Sequence, residues 1–328
     1  MGKRVRPAAS DRPLPRVLRA VVIDALQLGV GEQLPTNAHY ARTVGGTAGT
    51  IQRAMAVLAE QGAVTTTSHG TRGRAVESID LGRAWALAGL APVRLLLPPG
   101  GPEEVEQLSD ALTDELTTVG IPHTVRHERG GARRLDSIAD DRADVAVVSA
   151  GVLDAAARQL GDVHVRLLGP GTYYGRGRLV SVRRSAELAA VPARVAIDRD
   201  SPDHVALTEA SYPREGGYTY VDHPFPDVPA AVLRGDVDAG VWHRSHSLIP
   251  LDLAGLTCVP LPDRAEAVWS EISAAALVGS ASRQELISVL RAILAGPRWS
   301  SATSGGADLQ SRTRSAAAVA EGASVRRP

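Results

Sequence analysis

From Pro15 the apolar residues recur with helical spacing. Leu18, Val21, Val22 and Ala25 fall at i, i+3, i+4 and i+7, which is one face of a helix. That helix ends at Gly29-Val30-Gly31. Pro35 breaks the chain, Thr36 suits an N-cap, and Ala38 to Val44 form a short second helix. Gly45-Gly46 make the turn. A third helix begins near Thr47, repeats the same apolar spacing at Ile51, Ala54, Met55 and Leu58, and stops at Gly62. The stretch "AVTTTSHGTRGRAVES" then reads as two short β-rich runs around a Gly-containing turn, a hairpin.

Three helices followed by a hairpin describe a winged helix-turn-helix, expected over residues 15–78 behind a polar, basic arm at 1–14. Residues 79–91 are expected to form a linker with some helical character. Beyond it, strand and helix patterns alternate. "VRLLLPP", "HTVRHE" and "DVAVVSAG" read as strands, with helices at "PEEVEQLSDALTDELTTVG" and "ARRLDSIADDRA". "RLVSVR", "YTYVDH", "VDAGVWH", "LTCVPLPD" and "EISAAALVG" read as further strands, "RVAIDRDSPDHVALTEA" as strand, turn and helix with Ser201 or Asp200 as the cap, "PDVPAAVLRG" as a helix, and "RQELISVLRAIL" as a closing helix. Such alternation predicts parallel sheets covered by helices. Residues 92–297 could form one large α/β domain or two lobes with strands crossing between them, the second lobe at about 175–262. The Ser/Ala/Gly/Arg-rich segment 298–328 is expected to be a disordered tail. The fold class is therefore multidomain: a mainly α winged helix-turn-helix joined to an α/β body.

Composition narrows this picture. Only 3% of the chain is aromatic against 44% apolar, so the cores must be Ala, Val and Leu. A single cysteine, Cys258, excludes a disulfide framework and a multi-cysteine zinc site. No long apolar run predicts a membrane span and no apolar signal core follows the basic start, so a cytoplasmic location is expected. The net charge of zero hides an asymmetry. Residues 1–76 carry ten Lys/Arg and four Asp/Glu, and the remainder carries 26 and 32. A basic N-terminal module on an acidic body points to a polyanionic partner for the first part.

The candidate chemistry is sorted by what each pattern lacks. "GGTAGT" at 45–50 is not a phosphate loop, because no lysine follows to reach the outer phosphates. His123 and His127 share a strand face roughly 13 Å apart, too far to share an ion. His243-x-x-His246 lacks the glutamate of a zinc hydrolase. No metal and no cofactor is expected. Ser149 ends a strand without a Gly-x-Ser-x-Gly elbow. Cys258 fits a small core position, and Asp200 and Asp203 resemble a helix start. No catalytic set emerges. The third helix differs: opposite its apolar stripe it carries Gly49, Gln52, Arg53 and Ala56. Gln pairs with adenine and Arg with guanine in a major groove, and free N–H groups of the first turn favour a phosphate.

The order and spacing of "LQLGVGEQLPTNAHYARTVGGTAGTIQRAMAVLAEQGAVTTTSHGTRGRAV" resemble the DNA-binding domain of GntR-type regulators. The resemblance implies that Thr36 caps the second helix and Thr47 the recognition helix. It also implies that Thr50 touches backbone phosphate, and that Arg72 or Arg74 on the wing reaches the minor groove or phosphates. Ala48 and Gln52 stand where that family places arginines, so operator sequence does not carry over. The larger part resembles type 2 periplasmic-binding-protein domains used as effector sensors, and more narrowly YhfZ-like regulators, through Gly49-Thr50-Ile51-Gln52 in the recognition helix and "DVAVVSAG", "GPGTYY", "VAIDRDSPDHVALT" and "DAGVWH". In such a bilobal fold a ligand lies between two lobes where strands end. Ser149, Tyr173, Tyr174, Asp198, Arg199, Ser201, Trp242 and His243 all fall at such positions. The implied protein is a dimeric, ligand-responsive transcriptional regulator. Its implied partners are a palindromic double-stranded DNA operator and an unidentified small-molecule effector.

Overall fold

The computed structural model describes residues 13–68, 73–156, 163–188, 190–244 and 250–294. The chain divides into two compact units. One takes the described residues up to Leu95, with Ala111–Thr124 and those from Ser280; the other takes Leu96–Asp110 and Val125–Gly279.

In the first unit α1 (Pro13–Leu28) buries Val17, Leu18, Val21, Val22, Ala25 and Leu26. Its prolines fall in the first turn, where no N–H partner is lost. α2 (Asn37–Val44) is capped by Thr36, whose hydroxyl accepts from His39 N at 3.3 Å, and ends at Gly45 with φ 71°. α3 (Ala48–Glu60) is capped by Thr47, whose Oγ1 accepts from Thr50 N at 3.2 Å. Gly46 between them has no room for a side chain: a Cβ would stand 2.6 Å from Val17 Cγ2 and 3.2 Å from Ile51 Cγ1. That close approach lets α1 and α3 pack. β1 (Val64–Ser68) and β2 (Arg74–Ile79) pair antiparallel, and the loop after α1 joins them through a Gln33–Ala75 bridge. The segment 79–91 is more than a linker. It holds α4 (Leu81–Leu87), capped by Asp80, with Trp85 fully buried and donating its indole N–H to Ala91 O at 3.2 Å.

The mixed α/β part has two sheets. The first is laid down by β3 (Val93–Leu97), α5 (Glu103–Thr118), β4 (His123–His127), α6 (Gly131–Ala139), β5 (Val145–Ser149), α7 (Ala150–Ala156) and β6 (Val163–Leu167). The second is laid down by β7 (Leu179–Arg184), β8 (Arg194–Ile197), α8 (Pro202–Ser211), β9 (Thr219–Asp222), α9 (Val228–Arg234), β10 (Ala239–His243) and β11 (Leu256–Pro260). α10 (Asp263–Ile272) then leads to β12 (Ala275–Ser280), which returns to the first sheet. The strand orders are β4-β3-β5-β12-β6 and β11-β7-β10-β8-β9. α11 (Leu286–Leu294) closes the described chain and packs its apolar face on α1 in the first unit.

The sheets are mixed, not parallel as the alternation predicts. β8 runs parallel to β9 and β10, but β7 is antiparallel to β10 and β11, and β12 is antiparallel to β5. Parallel pairing is imposed by helical crossovers within one sheet. β7 and β12 each enter after a crossing from the other sheet, where no such constraint acts. "EISAAALVG" is likewise not one strand: Glu271 and Ile272 finish α10, and the strand starts at Ala275. α7 and β6 follow Ser149 without a periodic pattern long enough to separate them by sequence.

The cores match the aromatic-poor composition. Val182, Ala196, Val228, Ala231, Val232 and Trp242 pack on the second sheet, with Cys258 against them. Leu135, Val148, Val152, Leu153, Ala276 and Val278 pack on the first. Among the described residues no helix is long and apolar enough to cross a membrane.

Candidate functional site

A buried polar cluster lies between the two sheets, inside the second unit. Its centre is Asp203 in the first turn of α8, 2% exposed. Asp203 Oδ2 accepts from Ser149 Oγ at 2.5 Å and from Tyr174 Oη at 3.0 Å. Ser149 closes β5, and its Oγ also accepts from Val152 N at 3.1 Å. Burial pushes the Asp203 carboxyl up to about 6, although both hydroxyls and the Arg134 charge pull the other way. Gly151 makes room for it, since a side chain there would strike Asp203 Oδ1.

Arg134 supplies the buried positive charge, 2% exposed on α6. Its Nε donates to Val147 O at 2.8 Å, Nη1 to Glu128 O at 2.7 Å and Nη2 to Tyr173 Oη at 2.9 Å. Tyr173 and Tyr174 meet edge to face at 4.8 Å and both donate backbone N–H to Ser273 O. Burial raises both phenols.

The cluster extends to Glu104 and His243. His243 Nε2 stands 3.4 Å from Glu104 Oε2, and its ring centroid is 6.0 Å from that of Tyr174. Glu104 Oε1 accepts from Gly175 N at 2.8 Å, where Gly175 leaves the space a side chain would take. Burial works to raise the Glu104 carboxyl, but His243 and the backbone N–H groups outweigh it and hold it below the usual range.

Of the predicted ligand residues, the structure brings Ser149, Tyr173, Tyr174 and His243 together. The others lie at the end of β8 and in the second core. Asp198 ties its loop, with Oδ1 accepting from Asp200 N at 3.1 Å and Oδ2 from Phe225 N at 2.8 Å. Ser201 caps α8 by accepting from His204 N at 3.3 Å. Arg199 forms an exposed pair with Asp222 at 3.0 Å. Trp242 fills the second-sheet core. His204 is fully buried. Its Nδ1 accepts from Asp198 N at 2.8 Å, so Nε2 carries the proton donated to Val241 O at 2.9 Å. Burial pushes it down to about 4.

Sequence reasoning missed Asp203, Arg134 and Glu104 as members of the cluster. A signal existed for two of them. Asp203 shares the inward face of α8 with Leu207, and Arg134 lies four residues before the buried Ile138. A charge on an apolar stripe is a charge that is buried.

In the first unit the predicted DNA-facing residues occupy the exposed side of α3. Ile51, Ala54, Met55 and Leu58 are buried, while Gly49, Gln52 and Arg53 are exposed. Thr36 and Thr47 cap their helices, and Thr50 Oγ1 lies 2.9 Å from Thr47 Oγ1. Arg74 opens β2, half-buried and opposite Ser68. Arg72 and His246 lie outside the described residues. Among the described residues no group of three His, Cys, Asp or Glu side chains is placed to hold a metal ion.

The sequence is 28% identical to YhfZ of Escherichia coli (strain K12) over 235 residues, 71% of this chain and 75% of the relative. Among solved structures it is similar to YhfZ from Shigella flexneri, at 24% identity and a TM-score of 0.48 over 62% of this chain and 87% of that one. It is also similar to the periplasmic VFT2 domain of BvgS from Bordetella pertussis, at 16% identity and a TM-score of 0.44 over 63% and 93%. Residues 80–299, more than half of the chain, match the YhfZ C-terminal domain, and the chain belongs to that family.

Proposed function

We propose that the chain is a ligand-responsive transcriptional regulator of the cytoplasm. Its first unit acts as a winged helix-turn-helix of the GntR type, and its two-sheet part binds a small molecule between lobes as type 2 periplasmic-binding domains do. The observation that carries the proposal is the exposed face of α3, where Gly49, Gln52 and Arg53 stand beside a capped N-terminus and opposite a fully buried stripe. Gln52 and Arg53 have the donor and acceptor patterns that read base edges. Gly49 has nothing within 4 Å of where a Cβ would be, so a groove wall can come close. The hairpin acts as the wing. A dimer then binds a palindrome with half-sites about one helical turn apart.

Effector binding at the inter-sheet cluster shifts operator affinity by its difference in affinity between the two states. The test is to sequence the genomic fragments retained by the purified chain and to measure binding to the recovered operator. Gln52→Ala and Arg53→Ala are each expected to weaken specific binding by roughly 1–3 kcal/mol. Unchanged affinity in both variants would overturn the assignment of α3. A protein that binds operator but responds to no metabolite would instead be a constitutive repressor whose α/β part serves dimerisation.

A further inference from the structure

The seam between the two sheets of the second unit offers more acceptors than its own donors use. Asp203 Oδ1, Ser273 Oγ and His243 Nδ1 are buried there without a hydrogen-bond partner, and the buried Glu104 Oε2 meets only His243 Nε2, at 3.4 Å. Thr208 Oγ1 and Ser211 Oγ, on the buried face of α8 with Asp203, are also unpaired. A buried polar group left unpaired destabilises the fold by the cost of its lost hydration, so several at one seam mark a place that pairs with something else. Hydroxyls and imidazole can donate or accept, whereas carboxylate oxygens only accept. The two carboxylates therefore set the sign of the guest. The buried cation of the cluster, Arg134, already donates from each of its three nitrogens. Tyr174 links the two carboxylates, with its hydroxyl on Asp203 at 3.0 Å and its ring 6.0 Å from His243, which faces Glu104. His243 is itself only 6% exposed.

We infer that this seam takes a small organic cation bearing N–H donors, a primary ammonium or a guanidinium, on Asp203 and Glu104. The inference rests on the proposed effector reading and names the chemistry of that effector. The Tyr174 ring offers the cation a π face. Around Asp203 stand Ser149 from β5, Arg134 from α6, Tyr173 and Tyr174 from the loop before β7, and His204 from its own helix. His204 is held neutral by burial, which pushes it down to about 4, while burial pushes the Asp203 carboxyl up to about 6. The charge of a cation beside it favours the ionised carboxylate and so offsets the burial that raised it, and binding near that pH expels the carboxyl proton.

Calorimetry on the full chain at about pH 6, in two buffers of different ionisation heat, tests this. Butylammonium and methylguanidinium are the probes, with butyrate as the size-matched anion at equal ionic strength. The cations are expected to bind with proton release and butyrate not to bind. Asp203→Asn and Glu104→Gln are each expected to weaken cation binding about tenfold or more, with circular dichroism unchanged in at least the second. Binding of butyrate alone, of no probe, or of the cations equally by Glu104→Gln overturns the inference. DNA retention separates it from the reading it rests on. If butyrate and not the cations changes retention, the cation site fails and the regulator stands. If the cations bind with proton release and retention never changes, the site stands and the regulator reading fails.

Discussion

Ser149 donates its hydroxyl proton to Asp203 at 2.5 Å, joining the last residue of β5 in the first sheet to the helix that follows β8 in the second. The same oxygen accepts from Val152 N at 3.1 Å and so starts α7. Ser149→Ala removes both bonds and leaves a buried carboxylate short of a donor. The expected loss is about 1–3 kcal/mol, read as a lower urea midpoint with an unchanged slope. An unchanged midpoint would show that this bond adds nothing to the fold.

Gly151 stands two residues further on, where a side chain would strike Asp203 Oδ1 and come within 2.6 Å of Ile272 Cγ2. Neither neighbour is free to swing away, because Asp203 is held by two hydroxyls and Ile272 is packed at the end of α10. Gly151→Ala is therefore expected to cost about 1–3 kcal/mol through overpacking. The double variant with Ser149→Ala should lose less than the two single losses together, since Ser149→Ala releases one of the hydroxyls that pin the carboxylate. Strict additivity in urea unfolding would show that the two residues do not act through Asp203.

Asp203 and His204 pull stability in opposite directions with pH. Burial raises Asp203 from 3.8 to about 6, so the folded state holds its proton more tightly, and this contribution falls as pH rises through that window. Burial lowers His204 from 6.5 to about 4, so the folded state sheds its proton, and this contribution is lost as pH falls through that window. Each linkage amounts to about 3 kcal/mol at most. The wild-type chain should therefore show a nearly flat contribution from this pair between about pH 4 and 6.5. Asp203→Asn removes one slope and should make stability rise with pH across the window relative to wild type. His204→Gln should give the opposite sign. Urea midpoints across that range decide it: identical slopes in all three proteins would mean the pair is not buried in this way.

The first unit could be read closely from sequence because its signals are local. Spacing at Leu18, Ile51 and Leu58, caps at Thr36 and Thr47, and glycines at 45 and 46 each act within a few residues. The inter-sheet cluster was visible only in part. Ser149, Tyr173, Tyr174 and His243 stand where strands end or cross, which a strand pattern locates. Asp203 and Arg134 carry only the local signal of a charge on a buried helix face, and what joins them and Glu104 into one cluster is a partner far along the chain, such as Ser149 for Asp203 or Gly175 for Glu104. The antiparallel course of β7 and β12 was hidden for the same reason. Direction is set by which sheet a strand enters, and no local pattern carries it.

The α2–α3 turn separates two kinds of destabilisation that differ by one residue. Gly46→Ala would press a methyl group against Val17 and Ile51, both fully buried, and so force α1 and α3 apart. The expected cost is about 1–3 kcal/mol across the whole unit, seen as a lower midpoint for global unfolding. Thr47→Ala removes only the cap, whose oxygen accepts from Thr50 N at 3.2 Å. It should cost about 1 kcal/mol and act locally, speeding amide hydrogen exchange in the first turn of α3 more than elsewhere. Thr47→Ser keeps the oxygen and should restore protection. If α3 meets DNA through its N-terminal turn, Thr47→Ala should also weaken operator binding beyond what its loss of stability explains, while Thr47→Ser should not. Equal exchange rates in Thr47→Ala and Thr47→Ser would remove the cap from the account of this helix.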